Sequence, residues 1–318
     1  VVPQIQIISD KHPETKTVEE VSDMRIRYLR FPFRIILLTL LTLPGCYTLD
    51  LSENLLFHPE KDHVLCDRFM FRDHLVFTED SVRIECWMLS QDTAEVNFLF
   101  LPGNGWNLHR RIPMFNALGS RMRANIFAVN YRGFGRSDGD PTIEGILKDG
   151  KAAIHYFCSS SGLNRGLPTY LLGFSLGTFV ALYSGQEESI AGMILLSPFS
   201  NAEEVVQRGK KRWIPFFARP FIRIRMDDNL TALDNLSLVR SVTKPVLFIH
   251  GQKDPFIPSD MSTRLYEACA SANKKTAFIH NAGHFLCDKD CIDSVIDEII
   301  GFLTALTIQS TVTDPSDW

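Results

Sequence analysis

Short apolar runs, each followed by a stretch whose apolar positions recur at helical spacing, alternate along most of this chain. The runs at 95–101, 125–130, 169–174, 192–196 and 245–250 end at turn residues, as strands buried in a sheet do. Strands are also predicted at 73–78, 82–89 and 275–280, and helices at 109–121, 143–160, 176–185, 259–272 and 287–306. Strands that alternate with helices build a mostly parallel sheet, because a parallel neighbour is reached only through a crossover. The first two strands, bounded by Glu79-Asp80-Ser81, form an antiparallel hairpin at one edge. The expected fold class is therefore α/β: one domain over 73–306 with an eight-stranded, mostly parallel sheet and helices on both faces.

Two stretches depart from the alternation. Arg25 to Arg34 is basic without an acid, and Ile35 to Leu43 is apolar, broken only by threonines. This is the pattern of a secretory signal peptide, and the apolar run is shorter than the roughly 20 residues a bilayer span needs. Leu43-Pro44-Gly45-Cys46 resembles a bacterial lipobox, which implies a lipid on Cys46. Proline at its second position is unusual, so an uncleaved anchor or an ordinary signal peptide stays open. With Met24 as start, 1–23 is an upstream extension without function, 24–45 the signal peptide, 46–72 the anchor cysteine with an irregular arm, and 307–318 a tail. By resemblance to other lipoproteins, Tyr47 carries no inner-membrane retention signal, which implies an exported, lipid-anchored protein of the bacterial envelope, outer membrane favoured. Two or three acyl chains hold a protein stably, unlike one.

The second stretch, about 201–243, is longer than an ordinary crossover and is expected to insert near the site. Arg208 to Arg225 holds seven basic residues and no acidic one, interleaved with Trp213, Phe216, Phe217 and Phe221. It is expected to form a small cap, its aromatic face toward an acyl chain and its basic face toward anionic lipid headgroups. The alternative is a helical connection with a solvated basic face and a core-facing aromatic side.

With 318 residues, a hydrophobic fraction of 45% and a net charge of −4, the chain supports one large core and offers no electrostatic case for nucleic-acid binding. Beyond Cys46, cysteines 66, 86, 158, 269, 287 and 291 fall at irregular spacings that leave any pairing unreadable, and most are expected to be free buried thiols. Histidines 12, 58, 63, 74, 109, 155, 250 and 280 show no His-x-x-x-His spacing among themselves and the chain has no Cys-x-x-Cys, and no metal or organic cofactor is implied.

The chemistry concentrates at strand ends. Gly173-Phe174-Ser175-Leu176-Gly177 follows the apolar run 169–172 and places a serine where a strand turns sharply into a helix. Strand and helix approach closely there, so the flanking positions must be small. Lys244 to Gly251 leads to Asp254, and the strand ending at His280 leads to Gly283-His284. The order Ser175, Asp254, His284 is the one described for α/β-hydrolases. Ser197 lacks the glycine bracket, and Gly133-Phe134-Gly135 with Gly139 misses the dinucleotide spacing.

These motifs, with Tyr131-Arg132-Gly133-Phe134-Gly135-Arg136-Ser137-Asp138-Gly139, resemble the α/β-hydrolase-fold serine hydrolases from about Asp73 to Leu306. Within them the chain is most similar to serine aminopeptidase-like proteins and to membrane-associated acyl-ester and acyl-thioester hydrolases. The resemblance implies Ser175 as nucleophile, His284 as general base and Asp254 as its partner. The oxyanion is then expected to bind the amides of Leu176 and of Asn104, in the loop Pro102-Gly103-Asn104-Gly105-Trp106. Many relatives carry His-Gly where this chain has Pro102-Gly103, which leaves Gly105 as the alternative donor. Trp106, Asn107 and His109 fall at the expected mouth. The function expected is hydrolysis of esters or thioesters with an apolar acyl group. An aminopeptidase and a catalytically idle binding protein on the same fold are the alternatives.

Overall fold

The computed structural model describes residues 46–61, 71–105, 108–286 and 289–312. The upstream extension and signal segment, part of the arm, Trp106 and Asn107 lie outside the described residues. The described chain opens with β1 (Tyr47–Leu51) and α1 (Glu53–Leu56). The central sheet uses β2 (Arg72–Phe77), β3 (Arg83–Leu89), β4 (Val96–Leu101), β5 (Ala124–Val129), β6 (Thr169–Phe174) and β7 (Gly192–Leu196), then, after β8 (Ile222–Met226) in the insertion, β9 (Val246–Gly251) and β10 (Lys274–Ile279). The intervening helices are α2 (Ile112–Met122), α3 (Ile143–Ser159), α4 (Ser161–Asn164), α5 (Leu176–Ser184), α6 (Ala202–Trp213), α7 (Asp228–Thr231), α8 (Asn235–Val239), α9 (Asp260–Ala268) and α10 (Lys289–Val312).

The eight strands lie in the order β10-β9-β7-β6-β4-β5-β3-β2, parallel except where β3 meets β5 and β2 meets β3. Successive side chains of a strand point to opposite faces, and both faces are buried here. Leu99 and Leu101 of β4 join the core beneath α3, α5 and α9, whereas Phe98 and Phe100 join the core beneath α2 and α10. From β4 the chain crosses to β5 on one side, and β6 lies on the other. The carboxyl ends of β4 and β6 thus flank the point where strand order reverses, where open α/β sheets form their crevice.

Predicted and observed strand limits agree to within a residue, and the differences elsewhere have local causes. The first turn before α2 is 3-10 (Leu108–Arg111), because Pro113 sits at the opening of the helix, where its missing N–H costs nothing. Residues 307–312 continue α10 instead of forming a tail. The arm is not irregular: β1 pairs in parallel with β8 of the insertion, from Tyr47 opposite Ile222 to Leu51 opposite Met226. Asp50 meets Arg225 at 2.9 Å, and Glu53 accepts from the Ile143 amide at 2.9 Å and the Asn229 side chain at 2.8 Å. Cys46 is exposed, Cys158 half-buried and Cys86, Cys269 and Cys291 buried. Among the described residues no helix is long and apolar enough to cross a membrane.

The turn after β5 is tied down by charge. The Arg132 guanidinium reaches Asp149 of α3 at 2.8 and 3.0 Å and Asp80 of the first hairpin at 2.9 Å, and the Asp149 carboxylate is wholly buried. Removing one partner of a buried pair leaves an uncompensated charge, at a cost of about 3–5 kcal/mol. Arg132→Met is therefore expected to lower the unfolding free energy read from urea titration by that amount, whereas Arg83→Met, which breaks only the exposed pair with Asp138, should change it by about 1 kcal/mol or less.

Candidate active site

Ser175 holds φ 50° and ψ −115°, a backbone that a side-chain-bearing residue rarely adopts. The turn is fixed by what surrounds it. A Cβ on Gly173 would lie 2.7 Å from the Gly177 carbonyl, and one on Gly177 would overlap the Leu101 carbonyl at the end of β4. Glycine at both positions lets α5 start against the end of the neighbouring strand. The Ser175 amide donates to Leu196 of β7 at 2.9 Å, and Thr178 Oγ1 donates to the Ser175 carbonyl at 2.6 Å.

The three residues singled out in the sequence converge. His284 Nε2 lies 3.1 Å from Ser175 Oγ, and its Nδ1 lies 2.6 Å from Asp254 Oδ2. Asp254 follows β9 and His284 follows β10, so neighbouring strands set the spacing. The imidazole packs among Phe174, Phe256 and Phe285, with ring centroids 5.2, 5.6 and 5.4 Å away. The rings help to bury the imidazole, whose two nitrogens meet Ser175 and Asp254.

Asp254 is buried, and burial alone would raise its pKa. Hydrogen bonds from His250 and His284, the charge of His284 and the Ile257 amide overcome this and hold the carboxyl well below the usual carboxylate range. Its Oδ1 accepts the amides of Phe256 and Ile257 at 2.8 and 2.9 Å, so both oxygens are engaged. His250 Nε2 lies 3.2 Å from Asp254 Oδ2 and 2.9 Å from the Ile257 carbonyl, while its Nδ1 lies 2.6 Å from Ser262 Oγ. A carbonyl only accepts, so Nε2 carries the proton and Nδ1 accepts from Ser262.

Leu176 opens α5, so its amide has no carbonyl one turn earlier in the helix to pair with. Asn104 follows β4 and shares one cavity with Leu176, Gly105, Ser175 and His284. The Asn104 side chain is committed elsewhere: Nδ2 donates to the Leu56 carbonyl, and Oδ1 accepts from the His58 amide at 3.3 Å. The arm therefore ties down the loop that follows β4 and lines the cavity with Ser175. Gly105, with φ 83°, lines the same cavity.

That cavity measures about 510 Å³ and is walled by α1, the insertion and the catalytic strand ends. Ala202, Val205, Val206 and Trp213 fall on one face of α6 and line it, with Leu55 and Leu56 opposite. Of the four aromatic residues in the basic stretch, only Trp213 reaches the cavity; Phe216, Phe217 and Phe221 are not part of its wall. His109 lies on the turn before α2 and outside the lining.

Sequence reasoning missed several residues that hold the site. Ser197, set aside as a nucleophile, donates from Oγ to the His284 carbonyl at 2.8 Å. Arg111 is buried with its guanidinium 3.8 Å above the Phe174 ring and donates to the Phe285 carbonyl at 2.8 Å. His250 was visible beside Gly251, but its contact with Asp254 depends on a loop conformation that spacing does not encode.

Topology, elbow and strand-end residues together define an α/β-hydrolase fold, and the chain has that fold: residues 96–233 match the family model described as alpha/beta hydrolase fold. Among curated proteins it is 29% identical over 242 residues to human alpha/beta hydrolase domain-containing protein 17B, across 75% of this chain and 76% of that one. It is 24% identical to protein bem46 of Schizosaccharomyces pombe, across 62% and 65%. An esterase from Pyrococcus furiosus superposes with a TM-score of 0.64 at 19% identity, covering 79% of this chain and 97% of its own. The family match and the curated relatives support hydrolase activity.

The pKa of Asp254 is lower folded than unfolded, so the stability it contributes is complete above its unfolded value of about 3.9 and is lost as pH falls below it. The stability gap between wild type and Asp254→Asn in urea titrations should accordingly be constant near neutrality and narrow below about pH 4. A gap that widens in acid would contradict a depressed carboxyl.

Proposed function

We propose that the protein is a serine hydrolase that cleaves carboxylic esters or thioesters of apolar acyl groups through an acyl-enzyme. The observation that carries this reading is the continuous Asp254–His284–Ser175 contact at the wall of an apolar cavity. Ser175 Oγ attacks the acyl carbon as His284 Nε2 takes its proton, and Asp254 stabilises the imidazolium without accepting that proton. Charge on the carbonyl oxygen is met by the Leu176 and Asn104 amides. Collapse expels the alcohol or thiol, which takes the proton from His284, and water repeats the sequence to free the acid.

Among the described lining residues there is no aspartate, glutamate, lysine or arginine. An aminopeptidase needs an anionic group for the substrate ammonium, so the lining favours an acyl chain. The complete relay speaks against an idle fold. The reading extends to attachment at the bacterial envelope through a lipid on Cys46, which is exposed immediately before β1.

Ser175→Ala should unfold like wild type while kcat falls about 10,000-fold or more. Along a series from acetyl to octanoyl esters and thioesters, kcat/KM should rise by up to about fourfold per methylene buried, with aminoacyl amides poor substrates. Serine-independent turnover would remove Ser175 from its role, and preference for aminoacyl amides would favour the peptidase.

His250 acts as a positioning residue in this scheme. His250→Leu stays closer in volume at this fully buried position and removes the ring's hydrogen bonds to Asp254, Ile257 and Ser262, so kcat should fall about 10- to 100-fold with KM little changed. Equal effects on KM and kcat, or none, would leave His250 with a packing role only.

A further inference from the structure

The insertion fills its own small core with aliphatic side chains and leaves its aromatic ones outside. Ile214, Ala218 and Ile222 are buried together, with Ile224 against them. Trp213, Phe216, Phe217 and Phe221 are 56, 77, 51 and 53% exposed within nine residues of chain. Folding of the domain does not account for so much bare aromatic surface in one place, and patches of this kind rimmed by polar groups mark contact sites.

The rim is cationic. Arg208 is neutralised by Glu204 and Asp260, and Arg225 by Asp50. Lys211, Arg212, Arg219 and Arg223 have no carboxylate partner among the described residues, and no acidic residue occurs between 209 and 226. Arg219 donates to the carbonyls of Ile214 and Lys211, which fixes its charge at this surface without cancelling it.

The pairing of β1 with β8 shows where the upstream chain joins. Tyr47 lies opposite Ile222, and continuing the parallel register by one residue places Cys46 beside Phe221. The apolar run Ile35 to Leu43 ends three residues before Cys46 in sequence. Trp213 and the exposed Leu55 also line the cavity that contains Ser175, so the cavity wall and the aromatic patch are contiguous.

We propose that this lobe, with Phe216, Phe217 and Phe221 as wedge and Lys211, Arg212, Arg219 and Arg223 as rim, docks on an anionic lipid bilayer. Aromatic rings suit the headgroup boundary, and juxtamembrane Lys and Arg are drawn to anionic headgroups. A second copy of the chain meeting the patch symmetrically would set the same unpaired cations against each other. Docking presents the cavity to lipid-borne acyl groups, but the surface itself does not depend on which bond Ser175 cleaves.

Hydrogen–deuterium exchange of the full chain, free and mixed with vesicles of phosphatidylcholine or of phosphatidylcholine with one-third phosphatidylglycerol, tests this directly because it reads the lobe separately from the upstream segment. Residues 213–226 should be protected on the anionic vesicles and much less on the neutral ones. Protection should be lost in Phe216→Ser/Phe217→Ser/Phe221→Ser, with β4 and β6 exchanging as in wild type to show an intact fold. Each of Lys211→Gln, Arg212→Gln and Arg223→Gln should weaken docking on the anionic vesicles by about fivefold. Vesicle-bound protein whose 213–226 amides exchange at the free rate overturns the proposal, as does no binding to either vesicle. Equal protection on both vesicle types overturns recognition of anionic lipid. Protection that grows with protein concentration without vesicles assigns the patch to self-association instead.

Discussion

The close approach of α5 to the end of β4 governs the rest of the site. Gly177 has to lie against the Leu101 carbonyl, where a Cβ has no room, and Gly173 has to lie against Gly177. That contact forces Ser175 into its positive-φ backbone and sets the α5 amino terminus next to the loop after β4. One steric requirement therefore brings together Ser175, the helix-terminal amide of Leu176 and the loop after β4, the three parts that the proposed chemistry uses. Gly103 continues it, since a Cβ there would lie 2.8 Å from the Phe174 ring that flanks His284.

The carboxylate end works by the opposite means, through polar saturation instead of close backbone contact. Asp254 is fully buried as a side chain, a position that penalises its charge, yet two imidazoles and two amides bond its two oxygens. A carboxylate bonded on every side has one geometry available, and that geometry fixes the tautomer and tilt of His284. Ser197 fixes the same histidine through its backbone carbonyl. The arrangement is organised before any substrate arrives, which is where electrostatic stabilisation gains its advantage over water.

The legible parts of the chain were those in which local pattern and global packing agree. The inner strands of the central sheet, such as β4 and β6, are buried on two faces and therefore apolar, and the elbow glycines flank Ser175 in a recognisable five-residue window. β1 was not legible because it pairs with a strand in a distant part of the chain and shows three exposed residues of five. Its polar alternation, Tyr-Thr-Leu-Asp-Leu, reads as well for an exposed arm as for an edge strand. His250, Ser197 and Arg111 escaped for a related reason: each acts through contacts between segments far apart in sequence, or across a loop whose conformation spacing does not encode.

That illegible pairing also explains how the insertion and the oxyanion loop are coupled. β1 is held by β8 on one side, and the segment that follows it is held by Asn104, whose side chain bridges the Leu56 carbonyl and the His58 amide. Leu55 and Leu56 lie between these attachments and line the cavity opposite α6. The cavity wall formed by Leu55 and Leu56 and the loop after β4 are therefore parts of one connected unit. A displacement of the insertion that moves β1 is passed through α1 to Asn104, so in the proposed hydrolysis an acyl chain against the wall and an oxyanion donor in the loop would be set by the same arrangement of the arm. Binding energy from the remote part of a substrate is useful to catalysis when it is spent on geometry at the reacting atoms, and this connection is a physical route by which it reaches them.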